Sequence, residues 1–101
     1  MTDTIQATLA ERGKRYGEFR GHARITQELK RVIAVHTPGL RLLENGTTAP
    51  HLAADQQEAL DMICHKIGRI LNGDPDYADS WHDIAGYAQL VADRLQREEQ
   101  S

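Results

Sequence analysis

Between two amphipathic stretches of this chain lies Asn72-Gly73-Asp74-Pro75, and that break constrains the fold more than any other feature of the sequence. Upstream, at about 100° per residue, Leu60, Ile63, Cys64, Ile67, Ile70 and Leu71 gather within about 120° of arc, so residues 53–72 read as an amphipathic helix. Gly73 supplies a residue that stops a helix, and Pro75 follows where a new one can begin. Downstream, Trp81, Ile84, Ala85, Ala88, Val91 and Leu95 form the apolar side of a helix over about residues 76–98. A link of so few residues leaves two such helices side by side and antiparallel.

The N-terminal half is read against this pair. Asp3 suits the N-cap of a short first helix with Ile5, Leu9 and Arg12 on one side. The stretch RGKRYGEFRG, residues 12–21, breaks it with three glycines. Ile25, Leu29, Val32 and Ile33 then recur at helical spacing over residues 20–35. Residues 36–50 carry two prolines and an Asn-Gly turn signal, and read as a loop with an ordered turn at 40–43. A loop of this length is uncommon in a compact domain and is expected to cover something. No period-2 strand and no internal repeat is visible. The fold class expected is all-α: one domain over residues 1–101, a small helical bundle in which the second helix packs across the central antiparallel pair. With 40% hydrophobic residues, the core of so short a chain is modest, and self-association into a homo-oligomer is expected to complete it.

A net charge of −3 argues against a general nucleic-acid binder but leaves room for a small phosphorylated ligand held by a local basic cluster. One cysteine, Cys64, excludes an internal disulfide and suits a reducing compartment. There is no apolar run of transmembrane length and no signal-peptide pattern, so a cytoplasmic location without a membrane partner is expected.

Opposite its apolar stripe, the helix at 53–72 carries Glu58, Asp61, His65, Arg69 and Asn72 within about 80°. This is a solvated charge ladder, or a cation site at one end and a phosphate site at the other. Asp79 and Asp83 stand one turn apart, a like-charge pair that a cation or basic group would offset. Gly86 and Leu90 share their face, which suggests that something covers it. Asp74 before Pro75 reads as an N-cap, and Asp76 as an acid of the first turn. No EF-hand order is present. Asp79 and Asp83 are therefore candidate ligands of a hard cation such as Mg²⁺, with Glu58 and Asp61 to complete the set. The antiparallel offset brings Asp79 and Asp83 toward His65 and Arg69, and Glu58 and Asp61 toward Tyr87 and Leu90, so convergence within one chain is not assured.

The stretch EALDMICHKIGRILNGDPDYADSWHDIAGYAQLVADRL resembles a family of small phage and prophage proteins of unknown function, as does RGKRYGEF before the second helix. That family in turn resembles the all-α nucleoside-triphosphate pyrophosphatases, the MazG-like superfamily, whose helical core would correspond to residues 53–98. The resemblance implies a Mg²⁺-dependent hydrolysis of a (deoxy)nucleoside triphosphate to the monophosphate and pyrophosphate. Glu58 and Asp61 match the first acidic pair, as catalytic and metal residues, and Asp79 and Asp83 take the place of the second. The superfamily has ExxE followed by ExxD; this chain has ExxD followed by DxxxD. Lys66 and Arg69 are the leading phosphate partners, with Lys14, Arg15 and Lys30 behind them. Tyr16, Phe19 and Trp81 are candidates to stack on a base, although Trp81 also lies on the core stripe. His65 reads more readily as a paired or exposed residue than as a general base. The rival readings are a non-catalytic nucleotide-binding protein and a phage effector that binds a host factor.

Overall fold

A computed structural model describes residues 3–100. It comprises α1 (Asp3–Tyr16), α2 (Phe19–His36), β1 (Leu40–Leu42), β2 (Thr48–Pro50), α3 (Ala54–Asn72) and α4 (Ala78–Gln100). α3 is the centre. α2 packs on one side of it and α4 on the other, so of that pair α2 meets α3 alone and does not pack across both as expected, and α1 lies against α2 and α3. No helix among the described residues is long and apolar enough to cross a membrane.

The apolar stripes are not where the chain packs most tightly. Ala59 and Cys64 are the buried hydrophobic residues, and His22, Thr26, Lys66 and Ser80 are buried with them. Small residues decide this. A side chain at Gly68 would put its Cβ 2.6 Å from Thr26 Oγ1 and 2.9 Å from His22 Nδ1, so glycine there lets α2 close on α3. On α4 the buried residue is Ser80, 3% exposed. Trp81, expected in the core, is 55% exposed and donates its indole N–H to the Pro75 carbonyl at 2.8 Å. One position along a helix is about 100°, so packing α4 through Ser80 turns Trp81 outward.

α1 runs further than the glycine count suggested. Gly13 stays helical, at a cost of about 1 kcal/mol against alanine, and the chain breaks at Gly17 with φ 75°. The expected Asp3 cap lies outside the described side chains. The loop at 36–50 holds an antiparallel hairpin, in register Leu40↔Pro50 and Leu42↔Thr48, where no strand was expected. Asn45 builds its turn: Oδ1 accepts from the Thr47 amide at 3.0 Å and from its hydroxyl at 2.6 Å, while Gly46 takes φ 87°. Three-residue strands are too short to show a period of two. Neither strand packs on a helix, so the hairpin does not provide the expected cover.

The turn between α3 and α4 also differs from expectation. Asp74 Oδ1 accepts from the Asp76 amide at 2.9 Å, and the Asp74 carbonyl accepts from the Tyr77 amide at 3.3 Å. Asp74 closes a turn over 74–77 instead of capping a helix at Pro75, and α4 starts at Ala78.

Candidate functional site

Where the α1–α2 elbow meets the C-terminal end of α3, the backbones come unusually close. Asn72 Nδ2 donates to the Tyr16 carbonyl at 2.7 Å and the Glu18 carbonyl at 2.8 Å, and the Asp74 amide donates to the Arg15 carbonyl at 2.6 Å. Gly17 and Gly73 make room for this, since a Cβ at either would overlap backbone atoms across the junction. Tyr16 is thereby held between two elements. The Arg69 guanidinium lies over its ring at 4.3 Å, and Tyr77 meets it edge-on at 6.1 Å. Arg15 lies over the Tyr77 ring at 4.5 Å and donates to its hydroxyl, which donates in turn to Asp79 Oδ2 at 2.9 Å. That bond to Asp79 pushes the Tyr77 phenol up from its ordinary range.

Beside this ladder is a cleft of about 380 Å³, lined by Leu9, Arg12, Gly13, Tyr16, Gly17, Glu18, Phe19, His22, His65 and Arg69. It is at the lower end of the range for small-molecule sites, roughly 300–1,000 Å³. Its chemistry is mixed in a particular way. Arg12 and Arg69 provide two guanidinium groups, Tyr16 and Phe19 two ring faces, and Glu18 a carboxylate. Phe19 is 79% exposed, with its ring tilted against that of His22 at 6.2 Å.

Two histidines form the floor. His22 Nε2 and His65 Nδ1 share a hydrogen bond at 3.3 Å, one ring donating and the other accepting, with centroids 5.0 Å apart. Burial pushes His22 below the usual imidazole range, and the nearby His65 and Arg69 add to this. Burial does the same for His65, with Lys30 and Arg69 contributing. Among the described residues His22 Nδ1 and Thr26 Oγ1 are buried without a hydrogen-bond partner. The unfolded chain takes up these protons near pH 6.5, and the folded chain only at lower pH. In the interval between, the unfolded state holds more protons, so stability falls as pH falls. The Tm is expected to drop from about pH 7.5 to about 5.5, and His22→Gln is expected to flatten that slope. A Tm that rises on acidification over the same range would refute the buried neutral pair.

The residues singled out in the sequence separate into groups. Arg69 is in the cleft and His65 in its floor, and Tyr16 and Phe19 line it. Lys66 is not in the lining. Its residue is 8% exposed and its Nζ meets Asp83 Oδ2 at 2.9 Å. That bond holds the Asp83 carboxyl below its usual range. Asp79 and Asp83 thus share a face but answer to different partners, Tyr77 and Lys66. Asp61 accepts from the Gln57 amide at 3.2 Å. Glu58 lies by Tyr87, Leu90 and Arg94, as the helix offset predicts. Among the described residues no three His, Cys, Asp or Glu side chains come together as a set that could hold a metal ion. Glu58, Asp61, Asp79 and Asp83 do not form one ligand set for Mg²⁺ within the described chain. The side bearing Gly86 and Leu90 is open: nothing lies within 4 Å of a Cβ at Gly86, and Leu90 is exposed. Cys64 is buried, which pushes its thiol up, as the packing reading expects.

His22, Arg12 and Tyr77 were missed by sequence reasoning. His22 and Thr26 did leave a signal, because both fall on the stripe of α2 that carries Leu29 and Ile33. Polar residues there mark a polar contact between helices.

Residues 1–95 match the family described as a domain of unknown function, DUF6378, and the chain belongs to it. Neither curated proteins nor solved structures provide a match to this chain.

Proposed function

We propose that this member of the DUF6378 family binds a nucleotide in the cleft between the α1–α2 elbow and α3. Two guanidinium groups and two aromatic faces around one cavity carry the reading. Arginine presents a planar fork that matches phosphate oxygens, so Arg12 and Arg69 serve the phosphates. Phe19 and Tyr16 serve the base by stacking. Glu18 repels a bare phosphate and accepts from an amino group or a sugar hydroxyl. This favours a whole nucleotide over inorganic phosphate. Calorimetry of the purified chain with nucleoside mono-, di- and triphosphates is expected to give saturable binding that weakens with added salt. Heat from none of them would sink the proposal.

A second reading, the Mg²⁺-dependent hydrolysis of a (deoxy)nucleoside triphosphate to monophosphate and pyrophosphate, draws support from α3. Among the described residues Glu58 has no hydrogen bond or ion pair, and Asp61 has only a neutral amide. Two carboxylates of the first acidic pair are therefore available to a hard cation. The second pair is not comparable, since Asp83 is neutralised by Lys66. Pyrophosphate release in the presence of Mg²⁺, lost in Glu58→Gln, would establish this reading. Binding without release, unchanged in Glu58→Gln, would leave the first alone.

A further inference from the structure

We infer that the apolar face of the α2–α3–α4 layer is the interface between two copies of this chain. The layer is one helix thick, because α3 separates α2 from α4. Its two faces differ. The side of His65, Arg69 and Asp83 carries the cleft and the ion pair between Lys66 and Asp83. Helical geometry places Ile25, Leu60, Ile67, Leu71, Trp81 and Ala88 on the other. Part of this second face is an open apolar groove between α3 and α4, lined by Leu60, Ile63, Ala88 and Val91.

A helix layer buries its apolar stripe only when a second layer covers it. Among the described residues Ala59 and Cys64 are the buried hydrophobic ones, while Leu71 is 66% exposed. The molecule is elongated, 59 Å along one axis against 29 and 28 Å across it, which limits how much of the stripe the chain can cover by itself. Of the rest of the described chain, Leu52 lines the groove without closing it. α1 lines the cleft on the opposite face, and the hairpin packs on no helix.

The size of the face points to a second copy as the occupant. Three helices about 9 Å apart and roughly 28 Å long present on the order of 800 Å², the area each partner gives to a stable interface. A second copy brings an apolar face of equal extent, and a two-fold axis brings like stripes together. The six side chains named on the face carry no charge, so they offer nothing to select a partner of different chemistry.

Light scattering and sedimentation of the full chain, with Trp81 fluorescence, test the inference. At micromolar concentration the mass is expected to be twice the 11.3 kDa of one chain, with Trp81 shielded from iodide. Dilution is expected to halve the mass and expose Trp81. Ala88→Glu is expected to give a helical chain of single mass, and Val35→Glu, on the outer edge of α2, to leave the double mass. A helical, single-mass chain with Trp81 quenched freely at every concentration would overturn the inference and leave the face to another partner. A double mass that survives Ala88→Glu would also overturn it. If Ala88→Glu loses its helicity, the unaltered protein decides: protection of Trp81 that is lost on dilution supports the inference, and quenching independent of concentration overturns it.

Discussion

Gly73→Ala is expected to destabilise the chain by about 3 kcal/mol, lowering Tm by roughly 15 °C, as overpacking against backbone atoms that cannot move aside. A Cβ at Gly73 would overlap the Arg15 carbonyl oxygen and the Tyr16 Cα. These belong to the junction that the Asp74 amide and the Asn72 side chain hold shut. Relief would require separating the α1–α2 elbow from α3, at the cost of those three hydrogen bonds. The same change elsewhere is expected to act in the opposite sense. Gly13 and Gly86 are within helices and have nothing within 4 Å of a built Cβ, so alanine at either is expected to stabilise by roughly 1 kcal/mol. Thermal and urea denaturation of the three variants gives the comparison. A Gly73→Ala protein that melts with the parent would show that the junction is not closed as described.

The second large effect is on binding. Arg69→Ala is expected to weaken nucleotide affinity by about 10- to 100-fold, the loss of a charge-assisted phosphate contact worth about 1.5–3 kcal/mol. Arg69→Lys is expected to recover only part, because lysine neither forks onto two oxygens nor stacks on Tyr16 at 4.3 Å. Lys66→Met, which keeps the stem and removes the charge, is expected to leave affinity unchanged, since Lys66 is committed to Asp83 outside the cleft. This pairing separates the cleft from the phosphate assignment of the hydrolase reading, in which Lys66 and Arg69 act together. Calorimetry on folded variants, checked by circular dichroism, reads the result. Equal losses in Arg69→Ala and Lys66→Met would move the phosphate site out of the cleft, toward the Lys66–Asp83 pair on the same side of α3.

The sequence by itself determined the helices α3 and α4, the stop of α3 at Gly73 and the polar stripe of α3. Those features depend on neighbours within a few residues: a 3.6-residue period and a glycine stop; the start of α4 at Ala78, beyond the expected proline start, was not among them. It also identified Tyr16, Phe19, His65 and Arg69 as residues to watch. Tertiary structure decided everything that depends on which side of a helix meets another. Ser80 and not Trp81 is the buried residue in the first turn of α4, with Trp81 turned outward. Lys66 takes Asp83 out of the acidic pair, because a buried ammonium requires a carboxylate more urgently than two exposed carboxylates require a cation. And His22 joins His65 across 43 positions of sequence, a contact that no local pattern encodes, because it exists only once Gly68 has let α2 close upon α3.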